Sequence, residues 1–213
     1  MVKQTAANTQ SVIYQSAYAC GLARRSLTAY LGQSWQTCAL RCCCGSVCQL
    51  FAVLTPSGCY SAGFVIAGMQ TREFVDEVLA DFGEGDYLLL QNEINMLDYI
   101  IDQAYEKKMK IIMNPSPFDD KLNTCDLGKI YLFLLNEIEG EQITGYKDKD
   151  QILYAMAEKF PNARFVLTLG SDGAVYYDGK EKVFQDIFEV KAVDTTAAGD
   201  TFTGYFIAAV IEG

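Results

Sequence analysis

Histidine is absent from this 213-residue chain, which removes imidazole from every acid/base, nucleophile-activating or metal-ligating scheme. Proton transfer falls to carboxylates, Lys, Tyr or Cys. Acidic residues are also missing from residues 1 to 72, whose only charged side chains are Lys3, Arg24, Arg25, Arg41 and Arg72, a net of +5. Residues 73 to 213 therefore hold all 27 acidic residues against the other 12 basic ones, a net of −15. The whole chain has a net charge of −10 and a pI near 4.5. It lacks the clustered basic surface that phosphate backbones require, so nucleic acid is excluded as a partner. Half of the residues are hydrophobic, and the length suits one domain with a full core.

Seven of the eight cysteines (Cys20, Cys38, Cys42, Cys43, Cys44, Cys48 and Cys59) fall in the acid-free segment, and only Cys125 lies outside it. Three readings compete for that segment. A metal or disulfide framework on Cys42 to Cys48 fits poorly, because adjacent thiolates cannot easily all reach one tetrahedral ion. Membrane insertion draws on the uncharged run from Val47 to Met69, but Pro56, Gly58, Gln49 and the serines weaken it. The third and favoured reading is a shifted reading frame or misassigned start. No cleavable secretion signal is recognisable. Residues 1–71 are accordingly left unassigned, and 72–213 are read as one partial domain.

From Thr71 onward the pattern is orderly. An amphipathic helix begins there, and short apolar runs at 87–91, 110–114 and 164–168 read as buried parallel strands, with another strand ending at Asn136. Helices are expected from Met96 to Lys108 with Asn95 as cap, from Asn136 to Thr144, and from Asp150 to Phe160. Such alternation predicts an α/β fold with a largely parallel sheet flanked by helices, and ligands at the carboxyl ends of its strands. Asp178 and Gly179 mark a hairpin turn. An apolar helix follows the run AspThrThrAlaAlaGlyAsp at 194–200.

That run carries the strongest chemical signal. Small residues let a ligand approach the backbone, free N–H groups at a helix start attract anions, and an adjacent carboxylate can accept a proton from an attacking hydroxyl. An ordinary capped helix start is the bland alternative. AspThrThrAlaAlaGlyAspThrPhe is similar to the second signature of the ribokinase-like (PfkB) family of carbohydrate kinases. The resemblance covers about residues 72–213 and implies a three-layer sandwich, with ATP, Mg2+ and K+ as cofactors. It also implies a sugar as substrate, D-ribose above other sugars, sugar phosphates and nucleosides, a cytoplasmic location, and homodimers among full-length members.

Carried over by resemblance, Asp200 is the base. Ala197, Ala198 and Gly199, with the Asp200 amide, form the anion hole, and Asp194 and Thr196 match monovalent-cation positions. Tyr205 departs from the family pattern, which has a small residue there. Three more matches follow the family order. Asn136 and Glu139 look like an element that places magnesium and phosphates, although the same spacing makes a helix capping box. Thr168, Leu169, Gly170, Ser171, Asp172 and Gly173 resemble a nucleotide-binding loop, and Glu93 matches a substrate-contacting carboxylate. AsnProSerPro at 114–117 is similar to a structural element beside the ligand edge. The family's Gly-Gly substrate loop, sugar-gripping Asn/Asp pair and small β lid are not recognisable in residues 1–72. That leaves two possibilities, an active sugar kinase recorded in part or a nucleotide-binding remnant without catalysis.

Overall fold

The computed structural model describes residues 50–54, 60–64, 71–188 and 198–212, with the two segments before residue 71 and residue 212 described by backbone alone. The cysteines from Cys20 to Cys59, and residues 189–197, lie outside the described residues. The chain divides into two compact units, one of residues 47–168 with 176–182, the other including 169–175 and 183–213.

In the first unit, the apolar runs form strands at the positions their composition favours: β3 (Tyr87–Gln91), β4 (Lys110–Asn114), β5 (Leu132–Asn136) and β6 (Arg164–Thr168). They pair in parallel in that order, with Leu89 opposite Ile112, Ile112 opposite Leu132 and Leu134 opposite Val166. Consecutive residues Leu88–Leu90, Ile111–Met113, Leu132–Leu135 and Phe165–Leu167 are all buried. Successive strand residues point to opposite faces, so both faces of the sheet are covered, as a parallel sheet requires. The α/β architecture expected from the alternation of elements is the one observed.

Two strands were not anticipated. β1 (Leu50–Leu54) and β2 (Tyr60–Phe64) extend the sheet, giving the order β2-β1-β3-β4-β5-β6. β1 is antiparallel to both neighbours, with Ala52 opposite Ala62 on one side and Leu89 on the other. The sheet therefore begins inside the acid-free segment. Among the described residues, no helix is long and apolar enough to cross a membrane.

Helix α1 (Arg72–Leu79) is capped by the Thr71 hydroxyl, which accepts from the Phe74 amide, and it buries Val75 and Leu79 four residues apart. Helix α2 (Leu97–Glu106) buries Leu97, Ile100, Ile101 and Ala104, a single stripe at helical spacing. Its cap differs from the expected one. Met96, not Asn95, occupies the N-cap, in the left-handed region at φ 58° and without a side-chain cap bond. The chain has to turn sharply out of β3, and that backbone path overrides the preference for an Asn cap. Helices α3 (Glu137–Thr144) and α4 (Lys149–Lys159) follow β5. They pack closely at Gly140, where a Cβ would lie 2.7 Å from a methyl group of buried Ile152. Phe133 stacks on Phe165 at 5.9 Å and lies 5.1 Å from Phe160, joining β5, β6 and the end of α4 in one core.

β7 (Ala174–Tyr177) and β8 (Lys182–Gln185) are sheet neighbours joined by the expected turn. The Asp178 carboxylate accepts from the amides of Lys180 and Glu181, and Gly179 takes a positive φ of 88°. In the second unit, helix α5 (Ala198–Glu212) buries Thr203, Phe206 and Ile207.

Candidate active site

Parallel strands end together, and their register fixes what meets at the carboxyl edge of the first unit's sheet. Gln91 is opposite Asn114, and Asn136 is opposite Thr168. The structure thus brings Glu93, Asn114, Asn136 with Glu139, and Thr168 to one edge, where α/β sheets bind ligands. The Thr168 hydroxyl donates back to the Leu135 carbonyl at 3.4 Å, tying the last residues of β5 and β6.

At β5, Asn136 and Glu139 form a complete capping box. The Asn136 side-chain oxygen accepts from the Glu139 amide at 3.0 Å, and one Glu139 oxygen accepts from the Asn136 amide at 2.9 Å. The other oxygen accepts from the Asn136 side-chain amide at 3.1 Å. Glu139 is only 5% exposed, so these bonds compensate the hydration that its carboxylate loses on burial. Two accepted bonds still leave lone pairs on the carboxylate. The capping role named as the bland reading is present, and it leaves acceptor capacity at the strand end.

At β3 and β4 the edge carries a feature that sequence reasoning missed. Asn92 is 3% exposed, and its side-chain amide donates to the Pro117 carbonyl at 2.6 Å and to Asp119 Oδ1 at 3.0 Å. The bond from Asn92, helped by the Lys121 amide and the Lys121 charge, holds the Asp119 carboxyl below the usual carboxylate range. The available signal was a polar residue directly after a buried strand. Its partners, 25 and 27 residues away, could not be read from spacing.

In the second unit, Leu169 is buried, while Gly170, Ser171 and Asp172 are exposed in a single 3-10 turn. The Leu169 amide donates to the Gly173 carbonyl at 2.9 Å, closing the turn. Gly170 has φ +56° and open space beside it. Gly173 has φ +93°, and a Cβ there would fall on the Gln185 carbonyl oxygen. The first glycine leaves the backbone bare to solvent, and the second permits close chain packing.

Ala198, Gly199 and Asp200 form the first turn of α5, with Gly199 and Asp200 exposed. First-turn amides have no intrahelical acceptors, and a Cβ on Gly199 would meet nothing within 4 Å. Asp194, Thr196 and Ala197, the expected cation positions and first anion-hole residue, lie outside the described residues. Tyr205 is partly buried on α5, and that burial raises its phenol pKa.

Comparison with known proteins bears on the family and the fold. Residues 64–213 match the model of the pfkB family carbohydrate kinases. Over 143 residues the chain is 33% identical to the ribokinase of Haemophilus influenzae, covering 62% of this chain and 45% of that protein. Over 141 residues it is 28% identical to the deoxyribokinase of Salmonella typhi, covering 63% and 46%. Among solved structures, Arabidopsis thaliana ribokinase complexed with ribose and ATP superposes with a TM-score of 0.57 at 26% identity, covering 73% of this chain and 54% of that one. The chain spans about half the length of the curated relatives it matches. With the family model covering most of its length, at strands and loops where the motifs were read, the chain belongs to the pfkB family of carbohydrate kinases.

Proposed function

We propose that the chain carries the catalytic and nucleotide-binding part of an ATP-dependent carbohydrate kinase, transferring the γ-phosphoryl group to a sugar hydroxyl, with D-ribose as substrate. The observation that carries this reading is that Ala198, Gly199 and Asp200, the last residues of the run, form the first turn of a 15-residue helix. In this reading Asp200 takes the proton of the attacking hydroxyl. The amides of Ala197, Ala198, Gly199 and Asp200 hold the negative charge of the transferring group, and the turn from Gly170 to Gly173, with its backbone open at Gly170, receives the nucleotide. Phosphoryl transfer depends mainly on positioning and charge neutralisation, so one aspartate and an anion hole suffice and the absence of histidine costs nothing.

A bound Mg2+ would neutralise phosphate charge. It keeps most of its waters and needs only one or two protein carboxylates, so the remaining lone pairs of Glu139 fit a water-mediated contact. Asp194 and Thr196 are the residues assigned to K+. The substrate edge is assigned to Glu93. The same reading assigns the reaction to the cytoplasm.

The alternative reading is a nucleotide-binding remnant without catalysis. One experiment separates the two. ADP release is measured with ATP and Mg2+ against a panel of ribose, deoxyribose, fructose and a nucleoside, for the native chain and Asp200→Asn. Ribose-stimulated release, reduced by about a thousandfold or more in Asp200→Asn with ATP affinity unchanged, supports the kinase and the base. ATP binding with no sugar stimulation supports the remnant, and near-normal turnover in Asp200→Asn removes that residue from the base role.

A further inference from the structure

We infer that Asn92 is a positioning residue for the sugar: its side-chain amide clamps residues 117–119 to the carboxyl end of β3 and so fixes the substrate edge beside Glu93. The inference rests on the functional reading above, since it assumes that a sugar meets this edge.

The segment after β4 has little means of holding itself. Pro115 and Pro117 have no backbone N–H to donate. Among the described residues, no turn or loop backbone–backbone hydrogen bond involves residues 115–118. Side chains do the work instead. Asn114 Oδ1 accepts from the Ser116 amide at 3.1 Å, a local bond. Asn92 spends both of its N–H donors on the segment, one on the Pro117 carbonyl at 2.6 Å and one on Asp119 Oδ1 at 3.0 Å. The same Asp119 oxygen accepts from the Lys121 amide at 3.0 Å and caps the 3-10 turn Asp120–Thr124. Lys121 Nζ lies 3.6 Å from the other Asp119 oxygen. One amide therefore connects the end of β3, the proline segment and the start of the next turn.

Its position makes this more than a buried bond. Asn92 immediately precedes Glu93, and it follows Gln91, the register partner of Asn114. Movement of the proline segment relative to β3 would move the chain directly before the substrate carboxylate. Asn92 is 3% exposed, so it acts through these neighbours and not by touching sugar.

The test compares four 213-residue chains, native, Asn92→Ala, Asp119→Ala and Asp119→Asn, by steady-state kinetics and thermal unfolding. Loss of the hydrogen bond to the charged Asp119, common to both alanine variants, predicts a rise in sugar KM of about tenfold or more in each, with ATP KM within about twofold of native. Asp119→Asn retains a side-chain oxygen that accepts from Asn92, and its sugar KM is expected to stay within about threefold of native. If Asn92→Ala does not fold, the contrast between Asp119→Ala and Asp119→Asn decides. Lowered thermal stability with unchanged sugar KM, or sugar and ATP KM rising together, would overturn the positioning role and leave the kinase reading standing. A native chain that uses no sugar would overturn both.

Discussion

Gly170 and Gly173 stand three residues apart in one loop, and their surroundings assign them different work. Gly173 adopts a conformation open in practice only to glycine, and its missing Cβ is the space taken by the Gln185 carbonyl. Gly173→Ala should therefore damage the fold, by roughly 3 kcal/mol or more, because both strain and steric overlap act on it. Gly170 has a left-handed φ but nothing around it, so Gly170→Ala should cost only about 1 kcal/mol. If the nucleotide lies against this backbone, the same methyl group should raise ATP KM several-fold while leaving sugar KM alone. Urea unfolding together with the two KM values checks both statements. An ATP KM unchanged in Gly170→Ala would move the nucleotide away from this turn. The pair was legible in sequence as a glycine-bearing loop, but which glycine packs and which stays open was not, because that depends on residue 185.

Among the elements, α3 begins with a capping box built from the two residues to which the proposed function assigns the magnesium and phosphates. Asn136 caps the helix and supplies two donors to the Glu139 carboxylate, which is 5% exposed. Asn136→Ala keeps its own backbone donor but loses the cap acceptor and the side-chain donor. A lost cap costs about 1 kcal/mol, and a buried carboxylate left short of a donor costs about 1 to 3 more, so a loss of roughly 2 to 4 kcal/mol is expected. Asn136→Ser restores the cap acceptor and should recover about 1 kcal/mol of it in a urea titration. Equal losses in the two variants would show that the cap contributes little. Strands β3, β4 and β6 were readable residue for residue because each is a short apolar run covered on both faces. β1 and β2 were not. TyrSerAlaGlyPhe is a weak strand sequence, with a glycine and no β-branched residue. Such a segment becomes a strand through its partners, here β1 and the β3 edge behind it, which is a tertiary cause.

At the scale of the whole molecule, the break in charge at residue 72 and the beginning of the sheet do not coincide. The acid-free segment includes Leu50–Leu54, whose backbone pairs with Tyr87–Leu90 of β3, and the family match begins at residue 64, also within that segment. β3 is buried along its length, and without β1 it would present Leu88, Leu89 and Leu90 as an open, uncharged edge. Unpaired edges of that kind template association between chains. A chain beginning at Val47, where the first compact unit begins, is expected to remain monodisperse and to unfold in a single cooperative transition. A chain beginning at Thr71 keeps every motif residue but should aggregate, with lower recovery in size-exclusion chromatography and ATP binding lost at the concentrations where it associates. If the shorter chain behaves as well as the longer one, the β1–β3 pairing contributes nothing to solubility, and the change in composition at residue 72 marks the working boundary of the domain. If only the longer chain stays soluble, the boundary follows the hydrogen-bond ladder and not the charge.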